Sequence, residues 1–129
     1  LLRSVIESKY MEFHAVGLEF ILEIPDPISP VHIDVVDLSG VLSTFLDNAL
    51  LKAHGQKECL VRLSYFQRGE AQVLSVEVTL VQGEARETYK EGEEGLSMNE
   101  QLEDIMERYP QSKFSFKDDK LIYRQQFEY

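Results

Sequence analysis

The side chain best placed to bind a ligand in this chain is Asn48, which lies in the middle of an otherwise apolar helical segment. At about 100° per residue it falls on the edge of the apolar stripe, in line with Thr44 and Lys52. The Asn amide competes with the backbone for hydrogen bonds, so Asn is a poor helix former. Its place at the rim of a core indicates a residue kept for what it binds. The alternative is an Asn that only hydrogen-bonds a neighbouring loop.

The segment around Asn48 is predicted to be an amphipathic helix that starts after Asp37 as its N-cap. Its apolar residues follow the spacing i, i+3, i+4, i+7, i+8 and i+11, which is one buried stripe of a helix: Leu38, Val41, Leu42, Phe45, Leu46 and Ala49.

Length, net charge, cysteine content and the length of apolar runs limit the class of protein to which this chain can belong. The 129 residues suffice for one domain, and a net charge of −10 argues against a non-specific nucleic-acid binder. The single cysteine, Cys59, excludes an intrachain disulfide and predicts a buried free thiol. No apolar run approaches the roughly 20 residues of a membrane span, and the sequence predicts no signal peptide within this piece. We expect a soluble intracellular piece of a longer protein, since it begins with Leu1, and no membrane contact by this piece.

The hydrophobic periodicity predicts a single α+β domain over residues 1–129, a two-layer α/β sandwich. We expect a mixed, mostly antiparallel sheet with the helices on one face. The predicted elements, in chain order, are a helix over 1–16, a strand over 18–24, a proline-rich connector, the Asn48 helix, strands over 59–66 and 73–81, a polar segment over 82–94, a helix over 98–109 and a hairpin of 113–117 with 121–129.

Three segments of the chain resemble a known superfamily. Residues 46–49 (LDNA), behind the run that begins at Asp37, resemble the N-box of the GHKL ATPases, the superfamily of gyrase and the sensor histidine kinases. The match is closest to the catalytic domain of peptide-pheromone sensor kinases. Residues 18–28 (LEFILEIPDPI) and 105–116 (IMERYPQSKFSF) are similar to that family's first strand and last helix. The predicted order of elements is also that of the GHKL domain.

The resemblance implies an ATP site with Mg²⁺. In such domains the N-box Asn coordinates the metal that bridges the phosphates, which implies this role for Asn48. Lys52, one turn further on, could reach a phosphate; the alternative is a surface lysine on a solvated helix face. The N-box departs from the family pattern at Thr44, where Asn, Glu or His is common, and at Leu51, where Glu or Lys is common.

The family's two glycine-rich stretches are less well matched. In the first, Thr79 stands near the position that contacts adenine, where an Asp or Asn is usual; it is equally well read as a plain strand residue. In the second, Gly92, Gly95, Leu96 and Ser97 stand at the residues that line the phosphates, but Ser97 takes a place where another glycine is common. There, Glu93 or Glu94 replaces the family's basic residue, and a carboxylate repels a triphosphate unless a metal intervenes.

Two other features of the sequence have simpler structural explanations. Ser97 and Glu100 form an S-x-x-E capping box, which explains Ser97 without a ligand. His14 is predicted to be an ordinary surface residue, because the phosphoacceptor His of these kinases lies on a separate helix.

Two functions follow from the resemblance. The first is the ATP-binding catalytic domain of a two-component sensor histidine kinase, which supplies the γ-phosphoryl for autophosphorylation of a His on a dimerisation domain outside this chain. Its partners would be that domain and a response regulator, in a membrane-anchored parent with a cytoplasmic kinase part and a pheromone (quorum-sensing) signal. The second is a degenerate GHKL-fold module that binds nucleotide weakly or not at all and acts in regulation or protein interaction. An unrelated small α/β binding domain is a third reading.

Overall fold

The computed structural model describes residues 2–24, 33–54, 59–80, 99–119 and 121–129. The helices and strands follow one another in the order that the sequence predicts: α1 (Leu2–Ala15), β1 (Glu19–Glu23), α2 (Val35–Ala53), β2 (Cys59–Arg68), β3 (Ala71–Leu80), α3 (Glu100–Arg108), β4 (Lys113–Asp118) and β5 (Ile122–Glu128).

The five described strands form one mixed sheet in the order β1-β2-β3-β5-β4. β1 pairs with β2 in parallel, and the other neighbouring strands are antiparallel. Gly69 has a φ of 62° in the turn between β2 and β3, a conformation that glycine adopts without steric cost. The predicted α+β class and the mixed, mostly antiparallel sheet are confirmed.

One face of the sheet packs against the helices and forms the core. Side chains alternate between the faces of a strand, and the core-facing positions of β3 are Leu74, Val76, Val78 and Leu80. The predicted apolar stripe of α2 lies against them, and all of its members are buried. Phe13 of α1 and Leu102 and Ile105 of α3 complete this layer.

The other face of the sheet carries an ion-pair ladder across β1, β2, β3 and β5. Arg62 Nε lies 3.2 Å from Glu23 Oε1, and Arg62 Nη1 lies 3.8 Å from Glu77 Oε1. Arg124 Nη2 lies 2.6 Å from Glu77 Oε2. These charged side chains mark the face that is directed away from the helices.

Both predicted helix N-caps are wrong. The N-cap of α2 is Asp34, whose Oδ1 accepts a hydrogen bond from the Val36 amide at 2.8 Å. Asp37 instead lies in the first turn. The N-cap of α3 is Asn99, whose Oδ1 accepts from the Leu102 amide at 2.9 Å, so the helix does not start from a Ser97 cap.

Three other predictions from the sequence concern Cys59, His14 and membrane-spanning helices. Cys59 is a buried free thiol, as predicted, and burial raises its pKa. His14 is exposed and stacks on the Tyr10 ring. Among the described helices, none has the length and apolar character needed to cross a bilayer.

Candidate functional site

Three polar side chains on α2 form a buried row at positions i, i+4 and i+8. Thr44, Asn48 and Lys52 are only 7%, 5% and 6% exposed. We call them the polar row. The row lies along the edge of the apolar stripe, as the helical spacing predicts. A buried polar group needs a hydrogen-bond partner to offset its lost hydration, and each member of the row has a partner in a different element.

Thr44 joins α2 to α3. Its hydroxyl donates a hydrogen bond to Gln101 Oε1 at 3.1 Å. Where the resembled family often has Asn, Glu or His, this chain therefore has a hydroxyl that links two helices.

Asn48 joins α2 to β5 through a short hydrogen-bond relay. Asn48 Nδ2 donates to Gln125 Oε1 at 2.9 Å, and Gln125 Nε2 donates to the carbonyl oxygen of Phe45 at 2.8 Å. The Gln125 side chain is fully buried. Within the described residues, Asn48 Oδ1 accepts no hydrogen bond.

Lys52 joins α2 to the hairpin of β4 and β5. Its Nζ lies 3.0 Å from Asp118 Oδ2 and 5.2 Å from the centre of the Tyr123 ring. The Lys52 side chain is 4% exposed. It is therefore buried in an ion pair and does not lie on a solvated helix face. An Asp118 carboxylate beside the ammonium offsets the charge that would otherwise attract a phosphate.

Asp47, next to Asn48 in the N-box, points away from the polar row. Its carboxylate is 54% exposed and forms an ion pair with Lys9 of α1. Asp47 thus links α1 to α2 and does not contribute to the surroundings of Asn48.

Thr79 lies on the opposite face of the sheet from Asn48. Its cross-strand neighbours are Leu60 and Ile122. Gln125 is on the helix-facing side of β5, so Ile122, an odd number of positions away, faces the other side together with Thr79. The described structure therefore does not bring Thr79 next to the polar row.

Gly92, Gly95, Leu96 and Ser97, the predicted phosphate-binding residues, lie outside the described residues. An open cavity of about 590 Å³ contains none of the predicted site residues. Its lining includes Glu70 of the β2–β3 turn, Arg108 at the end of α3, Tyr109, which follows that helix, and Tyr129, which follows β5. The described residues also contain no cluster of three or more His, Cys, Asp or Glu side chains that could hold a metal.

The chemistry of Asn48 fits a ligand of Mg²⁺. Mg²⁺ prefers oxygen ligands, and in nucleotide sites it takes few of them from the protein, because phosphates and water fill the others. Asn48 Oδ1 is an oxygen of this kind, and its amide nitrogen is already engaged with Gln125. A single side chain at the rim of the core can therefore supply the protein's share of such a site.

Sequence reasoning missed Gln125. A signal was present, because Gln125 stands between Tyr123 and Phe127 at the core-facing positions of an alternating strand. An uncharged polar residue at such a position indicates a buried polar partner on the facing helix.

Searches with the sequence returned no matching family model and no matching curated protein. Solved structures do match. A nucleotide-free catalytic domain of the histidine kinase ThkA is 18% identical with a TM-score of 0.73, over 98% of this chain and 87% of that one. The histidine kinase AdeS of Acinetobacter baumannii is 13% identical with a TM-score of 0.62, over 98% of this chain and 62% of that one.

Two matching structures are complexes. Full-length ShkA with AMPPNP is 20% identical with a TM-score of 0.67, and the match covers 98% of this chain and 28% of that one. ThkA with the response regulator TrrA is 15% identical with a TM-score of 0.65, over 98% and 39%. This chain thus spans about a third of those longer proteins. The arrangement of helices around the mixed sheet is the fold of the histidine kinase catalytic domain, and this chain has that fold.

Proposed function

We propose that this chain is the ATP-binding catalytic domain of a two-component sensor histidine kinase. It would supply the γ-phosphoryl group that phosphorylates a His on a dimerisation domain outside the chain. A response regulator would be the next acceptor, and the parent protein would be a membrane-anchored kinase with this domain in the cytoplasm. The pheromone type of signal comes from the sequence resemblance alone.

The observation that carries the proposal is the setting of Asn48. It lies on the N-box helix of this fold with its amide nitrogen engaged and its oxygen free of partners among the described residues. The ThkA match adds that a histidine kinase catalytic domain has this fold. The ShkA match adds that a protein containing this fold has been solved in complex with AMPPNP, an ATP analogue. The TrrA complex of ThkA supports a response regulator as partner.

The residues of this chain would bind and position, because phosphoryl transfer depends mostly on positioning and charge stabilisation. Asn48 Oδ1 would hold Mg²⁺, which when bound neutralises charge on the phosphates. Gly92, Gly95, Leu96 and Ser97 would bring backbone amides to the phosphates. A phosphate contact by Lys52 would require its pair with Asp118 to loosen, and an adenine contact by Thr79 would have to come from the sheet's other face.

A degenerate module of the same fold is the second candidate. The pairing of Lys52 with Asp118 and the placement of Thr79 on the far face favour it. So do Glu93 and Glu94 in the second glycine-rich stretch. Such a module would use the fold for protein interaction or regulation.

The test compares two substitutions at neighbouring positions of α2. Asn48→Ala is expected to weaken Mg²⁺-dependent ATP binding strongly in titration calorimetry while the domain stays folded by circular dichroism. Asp47→Ala is the matched control, because its side chain faces α1, and binding should persist. Unchanged binding in Asn48→Ala would remove Asn48 from the site. An ATP-inert wild-type chain would favour the degenerate module.

A further inference from the structure

Gln125 lies beneath Asn48 and contacts it from the sheet. It is fully buried on the core-facing side of β5, opposite Val76 of β3. Its two polar atoms both contact α2: Oε1 accepts from Asn48, and Nε2 donates to the Phe45 carbonyl, one turn earlier on the same helix. The side chain thus spans the gap between sheet and helix and reaches two positions of α2 three residues apart.

The chemistry of these contacts fixes which way both amides face. A backbone carbonyl can only accept, so the NH₂ group of Gln125 must face Phe45. Gln125 Oε1 is then directed to Asn48, and an oxygen there requires the NH₂ group of Asn48. The remaining atom, Asn48 Oδ1, is directed away from Gln125.

This order of donors and acceptors matters for a metal ligand. An Asn amide that turned over would present NH₂, which is a donor and cannot coordinate a cation. Groups that hold a ligand in its binding orientation typically change metal affinity by about 10- to 100-fold when removed. Gln125 is such a group, because its hydrogen bond holds the Asn48 amide in one orientation.

We infer that Gln125 is the positioning residue of the nucleotide site: it sets the Asn48 amide so that Oδ1 is presented to Mg²⁺. The inference rests on the proposed function. Gln125 itself would contact neither metal nor nucleotide. Asn48→Ala and Gln125→Met should therefore act through the same contact.

The experiment is a double-mutant cycle on ATP affinity, measured by titration calorimetry with Mg²⁺ and with a chelator. Gln125→Met, which keeps the side-chain length and removes both hydrogen bonds, should weaken Mg²⁺-dependent binding about tenfold or more. In the Asn48→Ala background it should add nothing. With the chelator the wild-type chain and all variants should lose this binding. Gln126→Met, the same change one position along on the opposite face, is the control and should leave binding unchanged.

A second measurement uses the wild-type chain, so its result does not depend on whether Gln125→Met folds. In the wild-type chain, NMR should show the Asn48 side-chain NH₂ protected from exchange, with a through-hydrogen-bond coupling to the Gln125 carboxamide. An unprotected Asn48 amide would overturn the inference.

The outcomes of the binding cycle separate the two claims. Binding that Asn48→Ala weakens and Gln125→Met leaves unchanged would overturn the role of Gln125 alone. Losses that add up in the double variant would also overturn it, because they would show a general structural effect. Absence of Mg²⁺-dependent binding in the wild-type chain would overturn the proposed function together with this role.

Discussion

The Tyr109 hydroxyl links the end of α3 to the start of α2 by hydrogen bonds, and removing it should lower the free energy of unfolding measurably. The hydroxyl donates to Asp37 Oδ2 at 2.5 Å and accepts from the Asp34 amide at 3.1 Å. Arg108 donates to the other oxygen of Asp37 at 2.7 Å. Tyr109→Phe deletes both hydroxyl bonds and keeps the ring.

The expected loss in the free energy of unfolding follows from these contacts. A hydrogen bond to a charged group contributes about 1.5–3 kcal/mol, and the partial exposure of the Asp37 carboxylate, 20%, favours the lower end. For 129 residues, an unfolding entropy of about 2.1 cal/mol/K per residue means that a loss of ~1.5 kcal/mol lowers Tm by about 5 °C.

The pH dependence of this loss has a definite sign. The hydrogen bond from Tyr109, followed by that from Arg108, lowers the pKa of Asp37 in the folded state. A lowered carboxyl pKa stabilises the fold at pH values above the unfolded pKa, about 3.9. This contribution is lost as pH falls through the folded pKa. The gap in Tm between wild type and Tyr109→Phe should therefore be widest near neutral pH and shrink below about pH 4.

Thermal unfolding followed by circular dichroism at neutral and acidic pH measures this gap directly. Asp37→Asn serves as the control, because Tyr109→Phe made in that background should lose most of its pH dependence. A Tm change under about 1 °C at neutral pH, or a gap that is the same at both pH values, would contradict this role of the Tyr109 hydroxyl.

Two other predictions concern single side chains. Asn99→Ala should lower the unfolding free energy by about 1 kcal/mol, because the Leu102 amide loses its cap; chemical denaturation measures this, and an unchanged midpoint would contradict the assigned cap. Cys59 should react slowly with a thiol reagent at mildly alkaline pH and quickly after denaturation, since burial raises its pKa and blocks access. Equal rates in the two states would contradict its burial.

Local patterns in the sequence predict the elements of this fold well. The apolar stripe of α2 places Thr44, Asn48 and Lys52 on one line, and the structure has them in one buried row. The same spacing does not predict the hydrogen-bond or ion-pair partner of each side chain. The partners Gln101, Gln125 and Asp118 lie 57 to 77 residues away in the chain, so they are set by the packing of elements and not by the helix.

The errors in the predicted helix ends have the same origin. Asp34 and Asp37 are both capable of capping a helix, and local sequence does not choose between them. In the folded chain Asp37 is engaged by Arg108 and Tyr109, more than 70 residues later, while Asp34 takes the Val36 amide. The parallel pairing of β1 with β2 is likewise a long-range feature that alternation of side chains cannot specify.

We propose that this acidic chain binds ATP through Mg²⁺. At a net charge of −10, a bare triphosphate is repelled, and Mg²⁺ reduces that repulsion. The most direct measurement is titration calorimetry of the wild-type chain with ATP, with and without Mg²⁺. We expect micromolar to sub-millimolar binding that requires Mg²⁺. No heat at millimolar ATP, or equal binding without the metal, would contradict it.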